Sequence, residues 1–389
     1  MMTKRRILLF QLTILVMGIA GAGRIRAADL LQTAEATFRN DNFEYEYKSA
    51  AVHLQDLWVV VGLRPRGQTE VPQQFHMWKV DSQGKSLNQI NVSAISPANH
   101  PQEKYSHLHD LVTLKDGKLA LLAETGKETD LLIFDGNSGQ LLTNRPLTLT
   151  GSSPYINKTF GSPDGTVTVV GRLGTRPLLL KLQSSGKIAS QVIVQDKEVE
   201  VFVDAVELTD HTFMLLGEHL SGTGQIITWI GHVTAGGDIL YSSTFSGHDG
   251  SISCDADGHN CTVVYASAGT GGWNISIRTF AENRVSADQI DLFSGIRTNS
   301  RFRLAMGADE SVFVIGANAK NRLWMARINR SGKILTSLTF EEQATKWQRV
   351  WNYGLLTTAH DFIVPFTEFV VGNEMEQREI VKILWLRPS

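Results

Sequence analysis

Cysteine is nearly missing: 389 residues carry two, Cys254 and Cys261, too few for a disulfide-built scaffold or a cysteine-rich zinc site. Positive charge is not in excess, since 37 lysines and arginines face 39 acidic residues, which argues against a nucleic-acid footprint. Helical periodicity is scarce, and Glu341 to Gln348 is the only stretch that reads as a short helix. No His-Glu-x-x-His occurs, which removes one metalloprotease reading, and no Trp-Asp dipeptide marks the repeats.

The one long apolar run comes first. Lys4, Arg5 and Arg6 precede the largely apolar Ile7 to Ala22, and small residues follow at Ala20, Gly21, Ala22, Ala27 and Ala28. That layout predicts a secretory signal peptide over residues 1–28, leaving 29–389 as a single domain. The apolar core is shorter than the roughly 20 residues that span a bilayer as a helix; an uncleaved anchor flanked by Arg24 and Arg26 is the alternative. The first 27 residues hold five of the 37 basic residues and none of the 39 acidic ones, so the remainder carries 32 against 39, a net −7. A mildly acidic periplasmic or secreted protein is expected, with no membrane span after cleavage. In that compartment Cys254 and Cys261, which bracket an Asp257-Gly258 turn, are expected to form a disulfide across a hairpin.

After residue 40 the dominant signal is repetition. Lys79 to Lys85, Lys181 to Lys187 and Arg327 to Lys333 share one pattern: basic, aliphatic, polar, any, polar, glycine, lysine. Each follows an apolar strand-like run and precedes another extended segment, so its glycine supplies the positive φ of a tight turn. Gly84, Gly186 and Gly332 lie 102 and 146 residues apart, which divides into units of about 50. A second turn keeps the same phase at Asp56, Asp116, Asp164, Asp210, Asp257, Asp309 and Asp361, each followed by a β-rich apolar run such as Leu119 to Leu122. Seven such units cannot each bury two sheet faces alone; radial packing about a channel hides them. The fold expected is all-β, a seven-bladed β-propeller of four-stranded antiparallel sheets. The last unit supplies three strands, near Val350 to Thr357, Asp361 to Thr367 and Ile380 to Leu386, with Pro365 disturbing the second. An N-terminal strand should therefore close the ring, and the alternating Asn42 to Lys48 is assigned that role.

The units resemble repeats of secreted bacterial β-propellers, including quinoprotein-like ones, in which an aspartate and a glycine mark the turn before the outermost strand. Asp81 with Gly84 and Asp135 with Gly139 carry this resemblance. It implies the propeller scaffold, which enzymes and binding modules share.

Most chemical motifs fail on spacing. Gly84-Lys85-Ser86 lacks the partner glycine of a phosphate loop, and Gly136 to Gly139 is one residue short of a nucleophile elbow. Asp255, Asp257 and Asn260 miss the glycine and the terminal glutamate of a calcium loop, and Glu198 with Glu200 reads as a solvated strand face. His107 and His109, with His100 and Asp110 close by, would put two imidazoles on one strand face; two ligands suit a divalent metal without completing a site.

Function is expected where the innermost strands enter the channel. Six to ten residues before each repeated aspartate stand Tyr47 and Lys48; His107, His109 and Asp110; Tyr155, Asn157 and Lys158; Asp204; His248 and Asp249; Arg301 and Arg303; Trp351 and Asn352. Such a ring can hydrogen-bond and stack on a polar ligand. The insertion from Asn91 to His107 is expected to overhang it. The expected role is a non-catalytic binder of a partner protein, peptide or glycan on the channel face, with no cofactor and no nucleic acid. The alternative is a propeller enzyme, either a metal-assisted hydrolase or lyase using His107, His109 and His248, or a quinone-dependent dehydrogenase.

Overall fold

A computed structural model describes residues 30–39, 42–149, 154–255, 260–269, 272–281, 284–285, 289–296, 302–306, 311–317, 323–329, 333–339, 348–357, 362–371 and 377–388. The apolar run after each aspartate turn becomes the second strand of a sheet. Leu119 to Ala123 and Leu57 to Val61 are buried residue after residue, because a neighbouring sheet packs on each side. The outermost strands, open to solvent, are polar and exposed, as in Ser86–Asn91.

Six blades follow the chain from the inside out. Blade 1 is Phe43–His53, Asp56–Pro65, Gln74–Val80 and Ser86–Asn91; blade 2 is His107–Thr113, Lys118–Glu124, Thr129–Asp135 and Leu141–Pro146. Blade 3 spans Pro154–Gly161 to Ile188–Ile193, and blade 4 spans Val201–Glu207 to Ile239–Ser246. Blade 5 begins at His248–Cys254 and blade 6 at Arg303–Met306. Blade 7 runs Gln348–Tyr353, Phe362–Val371, Gln377–Pro388, and its outermost strand is the N-terminal Leu30–Phe38, antiparallel to Gln377–Pro388. Apolar clusters fill the junctions between consecutive blades, including the one between blades 7 and 1 that seals the ring.

Ring closure thus comes from an N-terminal strand, but not from the one expected. Asn42 to Lys48 enters Phe43–His53, the innermost strand of blade 1, and its alternation arises because Tyr45 and Tyr47 are buried at the blade 7 junction. Pro365 is accommodated where the innermost pairing of blade 7 breaks between Tyr353 and Leu356, so its missing N–H leaves little of the ladder unmade. The helix expected at Glu341 to Gln348 lies outside the described residues apart from Gln348, which opens a strand.

The turn chemistry follows the sequence pattern. Asp81 Oδ1 accepts the amides of Gln83 and Lys85, and Gly84 at φ 79° closes the turn before the outermost strand. The basic residue heading the same motif ties blades together: Lys181 Nζ lies 2.9 Å from Asp164 and 2.8 Å from Glu207 of the next blade. Cys254 and Cys261 are cross-strand partners with sulfurs 2.01 Å apart, as expected of the hairpin disulfide. The insertion after Asn91 is held against blade 2. Its backbone and Tyr105 bond to Glu128, Asp130 and Asn144 at the rim of blade 2.

Candidate functional site at the channel mouth

The innermost strands share a feature invisible in the sequence. Pairing with the second strand shifts register at the same level in six blades, leaving out Lys48, His109 with Asp110, Asn157, Val203, Asp249 with Gly250, and Asn352. These bulges re-aim side chains near the channel entrance, where successive innermost strands touch.

Part of that belt is used for stitching. Asp110 Oδ2 accepts the Thr159 amide at 3.0 Å, and Asn157 Nδ2 donates to the Phe202 carbonyl at 2.8 Å. Asp204, 6% exposed, accepts the Ser251 hydroxyl at 2.6 Å and the Ile252 amide at 3.1 Å. Tyr47 is buried at the blade 7 junction, where its amide donates to Thr367 Oγ1. Burial pushes the Tyr47 hydroxyl well above its usual pKa, Asp110 adds to this, and Arg303 opposes it. The fields of residues on blades 2 and 6 therefore meet at a tyrosine of blade 1.

Two imidazole–carboxylate groups stand near the mouth, with both imidazoles largely buried. On blade 2, His109 Nε2 stands 2.8 Å from Glu124 Oε1, close but without hydrogen-bond alignment, and the His107 ring lies edge-on at 4.8 Å. Burial would raise Glu124, but His109, the field of His107 and Thr129 hold it below the ordinary carboxylate range. At the border of blades 4 and 5, His248 Nδ1 contacts Asp249 Oδ2 at 2.8 Å, and the His248 ring meets Trp273 edge-on at 4.2 Å. Asp249 adopts φ 54°, a left-handed conformation that costs a non-glycine residue energy, and its amide donates to Glu218 Oε1 at 2.7 Å. Burial and then Asp249 raise the Glu218 carboxyl, against the backbone amides and His248. Between these groups Tyr155, 53% exposed, carries the Arg172 guanidinium 5.1 Å from its ring.

Arg303 Nη1 donates to the Phe302 carbonyl. Trp351 and Asn352 sit on the innermost strand of blade 7 at the expected level, and Arg301 lies outside the described residues. His107 and His109 stand on blade 2 and His248 three blades onward, so the three are not brought together. Among the described residues no cluster of three His, Cys, Asp or Glu side chains is arranged for a metal.

Glu124, Arg172 and Glu218 escape a reading focused on the residues before each aspartate. Their signal is a fixed offset: the residue eight places after Asp56, Asp116, Asp164 and Asp210 is Arg64, Glu124, Arg172 and Glu218, alternating in charge around four blades. Farther out, a groove of about 610 Å³ between blades 3 and 4 includes Arg176, Asp196, Lys197 and Glu200 in its lining.

The fold and this mouth define the class: a closed seven-bladed β-propeller with a polar, aromatic channel face. No protein-family model matches the chain, and no curated protein matches it. Its fold is similar to solved propellers. The Dos1 propeller aligns with a TM-score of 0.55 at 12% identity, covering 92% of this chain and 95% of that one. A mutant puromycin hydrolase complexed with PGG aligns at 0.52 and 13%, covering 86% of this chain and 53% of that one. Drosophila Plexin A in complex with Semaphorin 1b aligns at 0.50 and 8%, covering 92% and 87%. At such identities the likeness is one of fold alone.

Proposed function

We propose that the chain is a non-catalytic propeller of the secreted bacterial kind, periplasmic or secreted, that binds a partner protein, peptide or glycan on its channel mouth. The observation that carries this reading is distribution. An imidazole–carboxylate pair on blade 2, a guanidinium–aromatic pair on blade 3 and a second imidazole–carboxylate pair on blade 5 are spread around the mouth, as an extended ligand touched at several points requires. The signal-like residues 1–28 and the hairpin disulfide support an extracytoplasmic setting, and no helix among the described residues is long and apolar enough to cross a membrane. One observation favours the enzyme alternative: Asp249 holds the His248 imidazole beside Glu218, whose raised carboxyl suits proton transfer.

The test is a binding screen of purified protein on peptide and glycan arrays, repeated with Tyr155→Ala, His109→Ala and the rim variant Leu142→Ser. Loss of a ligand in both mouth variants and its retention in the rim variant supports the proposal. Binding indifferent to both mouth substitutions, or a substrate turned over with loss in His248→Ala, overturns it.

A further inference from the structure

The loop linking blades 1 and 2 covers a set of oxygens that lack donors. Asp130 is fully buried, and its Oδ2 accepts the Ala98 amide at 2.8 Å and the Tyr105 hydroxyl at 2.6 Å, while Oδ1 has no hydrogen-bond partner. Glu128 behaves alike: Oε1 accepts the Asn99 amide at 3.1 Å, and the buried Oε2 has no partner. Asn144 donates through Nδ2 to the Ser96 carbonyl at 2.7 Å, leaving its buried Oδ1 without a donor.

These residues are neighbours. Asp130 pairs with Pro146 and Leu132 with Asn144, so Asp130 and Asn144 share a sheet face on adjacent strands, and Glu128 precedes Asp130 by two residues. The charge of Glu128 reaches Asp130, and Asn144 and Asp130 both interact with the Tyr105 hydroxyl. In both carboxylates one oxygen is fixed by the loop and the other is idle. Buried acceptors without donors are costly, and three on neighbouring residues suit a shared partner. Among the described residues no lysine or arginine pairs with any of the three; His100 is the imidazole whose field reaches Asp130.

We propose that Asp130 Oδ1, Glu128 Oε2 and Asn144 Oδ1 bind a hard divalent cation, calcium, which pins the Val92–Ser106 loop onto blade 2. Calcium takes six to eight oxygens from carboxylates, amide carbonyls, backbone carbonyls and water, in flexible geometry; water and loop carbonyls would complete the set here. With two carboxylates it would bind in the range of extracellular modules, a Kd of about 10⁻⁴–10⁻³ M. The loop runs directly into His107, so the ion would stiffen the entry to the channel mouth. The site itself does not depend on what the mouth binds.

The experiment uses the full chain stripped with a chelator and titrated with calcium alone, by calorimetry and thermal unfolding, with proteolysis within residues 92–106 as the local readout. At 10 mM calcium the natural chain should gain about 2–4 °C in Tm, by mass action on a protein of this size, and the loop should become resistant to cleavage. Glu128→Gln should weaken calcium at least tenfold, and Asp130→Asn should abolish its effect. No heat, no Tm change and no protection up to 10 mM overturn the proposal, the oxygens then being served by enclosed water or a proton on Asp130. A calcium effect undiminished in Glu128→Gln overturns it as well, and does so even if Asp130→Asn fails to fold.

Discussion

Deleting residues 1–38 removes the outermost strand of blade 7 and leaves every innermost strand intact. The strand makes eight residue pairs with Gln377–Pro388. The ladder bonds and the cost of ordering the strand's backbone oppose one another. What decides the outcome is side-chain burial. Phe38 packs on Trp78 with ring centroids 5.3 Å apart, and Ala34 and Ala36 join the cluster at the blade 7 junction. Half-burying a phenylalanine and covering two alanines gives about 2–3 kcal/mol, and the aromatic pair adds about 0.5–1. A net loss of about 3–4 kcal/mol corresponds to about 4–6 °C in Tm for a chain of this length. Scanning calorimetry of this deletion should show that loss, with deletion of residues 1–28 alone as the control that leaves Tm unchanged. A synthetic peptide of residues 30–38 should recover part of it by re-adding the strand. An unchanged Tm on removing residues 1–38, or an equal drop in the control, would refute closure by Leu30–Phe38.

Asp204→Ala leaves the buried Ser251 hydroxyl and Ile252 amide without an acceptor, so it should cost about 2–5 kcal/mol in denaturant unfolding, with Asp204→Asn costing less. Lys181 and Thr166 overcome the effect of burial and bring Asp164 down to about 2, below its unfolded value. Its contribution is therefore complete above about pH 4 and lost as pH falls toward 2; Lys181→Met should flatten that part of the stability curve. Glu218 is shifted upward by burial, which gives the opposite slope: it opposes folding when ionised, so Glu218→Gln should remove a stabilisation that otherwise appears as pH falls through the carboxylate range. Replacing Cys254 and Cys261 together by serine should cost about 2 kcal/mol or less, because the loop is short and the hairpin already holds its ends, as thermal unfolding with and without reductant will show.

How much of the fold is readable in the sequence depends on what each feature needs from its residues. The turns are legible because a tight turn demands glycine at positive φ and an aspartate to cap it, and Asp81 with Gly84 meets both demands locally. Blade number follows from the spacing of those turns. The closing strand is misplaced for a physical reason: Leu30–Phe38, with its leucines, alanines and glutamate, has weak intrinsic β-preference and pairs only because blade 7 offers an open edge. Phe43–Tyr47 alternates more cleanly, but that pattern records burial between blades 7 and 1 rather than pairing at an edge. The disulfide is legible from an Asp-Gly turn and a separation of seven.

The mouth is legible as a set of positions but not as a division of labour. Polar residues at equivalent places in the repeat end in different roles because a bulge, which no residue type announces, decides whether a side chain reaches a neighbouring strand or the channel. Asp110, Asn157 and Asp204 are occupied by amides, hydroxyls or carbonyls of adjacent blades, so removing them should damage the ring before it alters recognition. His109 is largely buried beside Glu124, whereas Tyr155 with Arg172 holds its chemistry at the surface with little of the ring depending on it. Substitutions there should separate binding from stability. The strained Asp249 lies between these cases, since its amide anchors Glu218 while its carboxylate orients His248. A glycine at 249 would relieve the backbone while releasing the imidazole, so a gain in Tm accompanied by weaker binding would assign that strain to the ligand rather than to the fold.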